Sequence, residues 1–531
     1  MKKSIVTASL LIAALASASA QSEFDALKFN STDIIGSARF VGMGGAMGAL
    51  GGDPSSININ PAGLGVYRSF MEISLGMGVN INKTSADWDG TTTNDSRIHV
   101  PFNHASFIIG YTNKNKSKGV VGNNFGFSYS KLKDFHRNMA ISAQNQTSSM
   151  TDYLAAYTNN NKFLNRDVRN LGDYEDERNG YLSSMAWNAY LVNPNADSSA
   201  VTTPLNPGET VNPEYLSEER GYLNEYTFSY GMNISNMVYW GVSMGVQDLY
   251  YSRETSYYES NNGNGTDPIS YSNMELFNRT ETKGTGVNFN AGVIVKPIDQ
   301  LRLGVAVHSP TIFTSSEDHY GVNDYLNSQM VSTIGNDDYY TAPNKHDEFY
   351  EILSPWKYNF SIAGVLGHRG LISVDYQIAD YNTMKIREDG GRDWGYRVEN
   401  NNIKDKFQAS HSLHVGAEVN VVDGLFLRCG YAFVTSPFAD KDNVTMQLPS
   451  NTTYTSPEFF VDRWTNYYSA GLGYHKGFWY VDLSYQLKQQ DFDFYAYDYT
   501  IADAPADDIK LNKAELTSLI HNVSISAGVK F

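Results

Sequence analysis

One pattern recurs fourteen times along this chain: a run of about ten residues in which apolar and polar side chains alternate. The last run is the plainest. His521, Val523, Ile525, Ala527, Val529 and Phe531 share one face, and Asn522, Ser524, Ser526, Gly528 and Lys530 share the other. A side-chain period of two belongs to a strand with one apolar and one polar side. The runs cover 69–80, 104–112, 123–131, 224–235, 237–249, 284–296, 300–309, 355–367, 369–381, 409–421, 424–435, 466–475, 477–488 and 520–531. About ten residues is what a tilted strand needs to cross a bilayer. No stretch beyond the first twenty residues approaches the ~18 apolar residues of a spanning helix. The pattern predicts an all-β chain.

The connections between runs sort into two kinds. Short turns at Asn236, 297–299, His368, 422–424 and Lys476 alternate with long connections, among them 81–103, 132–223 and the acidic stretch 309–354. A barrel in the outer membrane of a bacterium segregates tight turns to one rim and long loops to the other. A soluble sandwich has no reason to do so. The expectation is therefore a 14-stranded antiparallel transmembrane β-barrel, with both termini on the short-turn, periplasmic side. The faces agree. Ile372, Val374, Tyr376 and Ile378 oppose Ser373, Asp375 and Gln377, and Trp479, Val481, Leu483, Tyr485 and Leu487 oppose Asp482, Ser484, Gln486 and Lys488. A charge at the lipid midplane costs about 2–4 kcal/mol, and the outward faces carry none there. Trp240, Trp356, Tyr358, Tyr468 and Trp479 fall where an aromatic girdle would lie. A final strand ending on Phe531 also resembles the C-terminal assembly signal of outer-membrane barrels, which implies the barrel-assembly machinery as a partner during biogenesis.

The other end carries an export signal. Lys2 and Lys3 precede a short apolar run, and Ala18-Ser19-Ala20 offers a cleavage site before Gln21. Residues 1–20 read as a signal peptide. Cys429 is the only cysteine, so no intramolecular disulfide forms. The net charge is −17, and −19 without Lys2 and Lys3. Such a balance argues against nucleic acid as a partner.

Residues 21–68 contain no barrel-type strand. Their centre is glycine-dense: Ala38-Arg39, Gly42-Met-Gly-Gly-Ala46, Asp53, then Asn58-Ile-Asn60-Pro61-Ala62-Gly63-Leu64. A dinucleotide loop is a poor reading, because Gly42-Met-Gly44 lacks the third glycine and no βαβ unit surrounds it. Dense glycine implies close backbone packing, as in a plug folded into a lumen. This segment resembles the N-terminal hatch of the FadL/TodX-type outer-membrane transport proteins, in a Bacteroidetes-like branch. The resemblance implies three parts: signal peptide 1–20, hatch 21–68 and barrel 69–531. It also implies passive, hatch-gated uptake of hydrophobic molecules such as long-chain fatty acids, which leave sideways through the wall, and a monomer set in outer-membrane lipid and lipopolysaccharide. Asn58, Asn60, Pro61, Ala62 and Gly63 would then act in the hatch. The loop residues Tyr153, Leu154, Tyr157, Phe163 and Leu164 are candidates for ligand capture, or else for packing the loop over the barrel. Two alternatives stay open: a type IX secretion barrel that binds protein cargo, and a haem or general polar-solute pore.

No enzyme is expected. The chain has no H-E-x-x-H, G-x-S-x-G or phosphate-loop motif. His411 and His414 lie on opposite faces of one strand and make a poor metal pair, so neither metal nor cofactor is expected. Asp375, Glu418, Arg428 and Asp482 face the lumen, where charges pair across the wall or hold the hatch.

Overall fold

The computed structural model describes residues 22–113, 117–160, 171–174, 179–263, 271–313, 322–334, 337–342, 346–367, 369–446, 455–499 and 509–531. The signal peptide, Phe163 and Leu164 lie outside the described residues.

Fourteen strands close into an antiparallel barrel. β1 (Met71–Trp88) ladders to β2 (Thr91–His99, then Phe102–Thr112) on one side and to β14 (Ala514–Lys530) on the other. Between them run β3 (Val120–Asp134, then Arg137–Ser142), β4 (Val211–Ile234), β5 (Val238–Asn261) and β6 (Tyr271–Ile298). Next come β7 (Leu301–His308, Ile312–Phe313, Val322–Ile334), β8 (His346–Leu353, Lys357–Val365) and β9 (Gly370–Asp380, Lys385–Glu388). β10 (Ala409–Val422), β11 (Leu425–Thr435), β12 (Phe459–Lys476) and β13 (Trp479–Tyr495) complete the wall. Each is antiparallel to its neighbours, and β13 pairs with β14 from Trp479↔Val529 to Phe494↔Ala514.

Each of the fourteen alternating runs falls on one of these strands, to within two residues at the ends. The outward side chains are apolar and exposed in a continuous band: Leu75 and Met77 on β1, Phe125 and Phe127 on β3, Phe360 and Ile362 on β8, Leu483 and Tyr485 on β13, Val523 and Ile525 on β14. Exposed apolar surface on this scale is a lipid-facing belt.

The strands run far beyond that belt. β4 and β5 have 24 residues each and β6 has 28, more than twice the ~10 needed to cross. The stretch 81–103, expected to be a long loop, is instead the continued β1–β2 hairpin, paired from Asn80↔His99 to Trp88↔Thr91. Asp89 and Gly90, both at positive φ (49° and 82°), make the two-residue turn that such hairpins favour. Above the lipid, outward positions such as Thr92, Asn94 and Ser96 no longer need to be apolar. The alternation disappears there although the ladder continues.

Residues 22–68 fill the lumen. Their elements are α1 (Glu23–Asn30), α2 (Ala38–Gly42) and two 3-10 turns, Pro54–Asn58 and Pro61–Val66. Ser22 caps α1 through a capping box with Asp25, satisfying orphan N–H groups at the helix start. Among the described residues, three helices come from the loops on the far rim: α3 (Met150–Asn160), α4 (Tyr181–Asn188) and α5 (Arg397–Lys406). They join the strand extensions in one buried aromatic–aliphatic cluster that also takes in Ala26, Leu27 and Phe29 of α1.

Candidate functional site

Below α1 the plug is pressed against the wall backbone to backbone. Met43 and Gly44 lie on Gly416 of β10 and Gly430 of β11, and residues 61–65 lie on Gly231 of β4 and Gly241 of β5. A Cβ on any of these wall glycines would fall inside plug backbone atoms. That contact explains why the strands carry glycine on their lumenal face there.

Polar pairs fasten the same region. Arg39 donates from Nε and Nη2 to both oxygens of Glu418, at 2.8 and 2.9 Å. Arg428, whose side chain is fully buried, donates to Glu418 (2.6 Å) and to Asp482 (2.6 Å). The Gly48 N–H donates to Asp375 Oδ2 at 2.7 Å, and His414 Nδ1 donates to the Gly44 carbonyl at 2.9 Å. Of the four lumenal charges singled out in the sequence, Asp375 and Glu418 bond the plug directly, and Arg428 and Asp482 are linked to it through Glu418. The partner of Glu418, Arg39, was visible only as part of a motif.

Asn60 anchors the Asn-Pro-Ala segment. Its Oδ1 accepts from the Ala62 N–H at 3.0 Å and caps the second 3-10 turn. Its Nδ2 donates to the Gly48 carbonyl at 2.8 Å, tying the two ends of the glycine-rich stretch together. Pro61 occupies the first position of the turn, where a missing N–H costs nothing. Gly63 packs against Gly51, and Asn58 borders a lumenal cavity of about 170 Å³.

Three of the loop residues singled out in the sequence are buried. Tyr153, Leu154 and Tyr157 are essentially inaccessible, at 1%, 0% and 2% exposure. Tyr153 lies on Tyr157, Tyr497 and Tyr499. In this structure they pack the loops over the barrel.

A second cavity, of about 120 Å³, lies beside α1. Phe24, Phe135, Phe459, Phe460 and Phe492 give it an aromatic wall, and Lys28, Arg137, Arg253, Glu219 and Glu458 give it a charged one. Phe24 is set among Phe407, Phe438 and Phe459, with centroids 5.2–6.4 Å apart. Arg137 pairs with Glu219 at 2.8 Å, and Arg253 with Glu458 at 3.5 Å. Burial pushes the Lys28 ammonium below its ordinary range. Burial acts the other way on Asp33, which Lys488 and Lys133 nevertheless hold below the usual carboxylate range. None of these aromatic residues stood out in the sequence, because Phe24 comes from the hatch and the others from segments read as loops.

The cavity adjoins a discontinuity in the wall. β2 and β3 are laddered from His104↔Ser130 to Thr112↔Gly122. Above that, among the described residues, no backbone ladder joins 91–103 to 131–142. Side chains span the seam instead: Thr93 donates to the Ala140 carbonyl, Arg97 reaches Asn138 and Glu218, and His99 meets Asp134. Ile98, Val100 and Phe102 line its outer edge, all exposed.

Comparison with known proteins agrees with this architecture. Residues 183–476, more than half of the chain, match the model of the family described as outer membrane protein transport protein (OMPP1/FadL/TodX). A FadL homologue of Pseudomonas aeruginosa has a similar fold, with a TM-score of 0.53 at 12% identity, over 94% of this chain and 100% of that one. The toluene transporters TbuX of Ralstonia pickettii (12% identity, TM-score 0.47, 95% and 100% covered) and TodX of Pseudomonas putida (11%, 0.48, 94% and 100%) are also similar. No curated protein sequence matches significantly.

Proposed function

The chain belongs to the FadL/TodX family of outer-membrane transport proteins, and on that premise we propose that it passes hydrophobic molecules such as long-chain fatty acids inward, passively and as a monomer. The observation that carries this reading is the cavity beside α1: an aromatic wall faces a charged one, next to a stretch of wall without a ladder. Such a pocket suits a solute with an apolar body and a polar head. Lipopolysaccharide presents such solutes with a hydrated saccharide leaflet that they cross poorly, and a part-aromatic pocket reached through the loops offers a way around it.

In this reading residues 21–68 are a hatch. The lower plug seals the lumen against polar solutes, and α1 forms one side of the pocket. Movement of α1 would join the pocket to the unladdered seam, and the solute would leave between β2 and β3. Asn60, Pro61, Ala62 and Gly63 hold the seal, and no covalent chemistry takes part.

The test is a gene deletion scored for uptake of a labelled long-chain fatty acid and for secretion of type IX cargo in the same cells. Reduced uptake with normal secretion is expected, and complementation with the wild-type gene should restore it. Normal uptake with lost secretion would overturn the proposal in favour of a cargo-binding barrel.

A further inference from the structure

The seam between β2 and β3 holds a cluster that passage of a hydrophobic solute does not require. His99 ends the upper part of β2, Asp134 ends the first part of β3, and His136 lies in the break that follows. His99 Nδ1 lies 2.8 Å from Asp134 Oδ2, and His136 Nδ1 lies 2.6 Å from Asp134 Oδ1. The two imidazoles are stacked, with centroids 3.6 Å apart and planes 11° from parallel. One ligand atom from each of the three residues falls within 4.8 Å of the others. Asn80 of β1 donates to Asp134 Oδ2 at 2.9 Å and fixes the carboxylate. The group is part-buried and borders a cavity of about 30 Å³.

Two imidazoles and one carboxylate are a donor set for borderline divalent cations, Zn²⁺ foremost, with a fourth position left to water. Hard cations such as Ca²⁺ and Mg²⁺ want six or more oxygens, which this site does not offer. A bound cation would replace the two protons that now link the imidazoles to Asp134. Ligand atoms around a tetrahedral ion with bonds of ~2.0–2.1 Å lie roughly 3.3 Å apart, so each imidazole nitrogen would draw away from its present carboxylate oxygen by less than ~1 Å. The parallel rings present their in-plane lone pairs side by side rather than converging, so one ring must tilt. Part exposure leaves room for that, and the adjoining cavity is large enough for a water ligand.

We propose that His99, Asp134 and His136 bind one divalent transition cation, which clasps β2 to β3 across the part of the wall that has no backbone ladder. Binding itself does not depend on the transport reading; only its consequence for lateral exit rests on it. With the cation in place the seam is cross-linked, and passage through it slows.

The experiment uses the full mature chain in detergent, titrated with Co²⁺ and then Zn²⁺. One equivalent of Co²⁺ should give the visible absorption of an imidazole–carboxylate site, and Zn²⁺ should displace it. His99→Ala and His136→Ala should each weaken Zn²⁺ binding by more than about tenfold, and Asn80→Ala, which removes only the hydrogen bond to the carboxylate, by ~10-fold. Heat-modifiable gel mobility shows that each variant is a folded barrel. If Asp134→Asn does not fold, the two histidine variants decide the matter. No stoichiometric binding to wild type, or unchanged binding in the doubly substituted H99A/H136A chain, overturns the site. In liposomes, Zn²⁺ should slow uptake of a labelled fatty acid by the wild type and not by the double variant. Equal slowing in both overturns the clasp. Absence of uptake by the metal-free wild type counts against the transport reading alone.

Discussion

The lower and upper halves of the lumen are built from opposite materials. Below, plug and wall meet backbone to backbone at Gly416, Gly430, Gly231 and Gly241, and part-buried Arg39 and buried Arg428 pair with Glu418 and Asp482. Above, α1 touches the wall through large side chains, Phe24 and Phe29 among them, and leaves cavities between them. Backbone contact through glycine has one solution and no slack. Aromatic contact has several packings of similar energy. The first suits a seal, and the second suits a surface that must exchange a helix for a solute.

The sharpest way to break this contrast is Arg428→Ala. It takes the buried guanidinium from Asp482, which keeps only His475 at 3.3 Å, and leaves Glu418 to Arg39 alone; losing one partner of such a network costs about 3–5 kcal/mol. The expected result is a plug released at its lower end, seen as increased entry of large polar antibiotics with the barrel still heat-modifiable. Unchanged permeability would mean that the glycine contacts alone hold the seal. Gly430→Val tests those contacts directly, because its side chain would enter the space of Gly44 and Met43. Overpacking of this kind costs about 1–3 kcal/mol and more where backbone must move. Protease sensitivity around residues 40–50 should rise.

In the upper half, Phe24→Ala should loosen α1 by roughly 2 kcal/mol, less than a fully buried Phe truncation, since Phe24 is only part-buried. Amide exchange across 23–30 should quicken while that of 38–66 stays the same. Equal change in both would show that the halves are one cooperative unit. The smallest effect is a pH dependence at the contact between α1 and α5. Lys406 Nζ lies 2.5 Å from Glu23, and Asn402 donates to the same oxygen at 3.1 Å. Burial, with Glu23 nearby, pushes the Glu399 carboxyl from near 4.5 up to about 7. A raised carboxyl favours the docked state below its ordinary value, and that advantage is lost as pH rises through about 7. Protection of 397–406, corrected for intrinsic exchange, should therefore fall between pH 5 and 8. Glu399→Gln should flatten that slope.

The strand cores were readable because lipid imposes a local rule: every second residue must be apolar, whatever lies across the barrel. His521–Phe531 shows it without any neighbour. The same rule hid the strand extensions, since it lapses where Thr92 or Asn94 meets water. The Asp89-Gly90 pair was a hairpin signal within the chain's own letters, and the missing alternation around it masked its meaning. Lumenal Glu418 and Arg428 could be placed on the inner face by parity. Their union with Arg39, nearly four hundred residues earlier, could not.

What the sequence determined by itself is the number of strands, the face each turns to lipid and the rim that carries the tight turns, because period and composition are properties of a single segment. Tertiary structure alone decided which aromatic rings wall the pocket, where the β2–β3 ladder stops and that His99 meets Asp134 and His136. Those depend on barrel closure, which brings together side chains from strands whose register no single segment records.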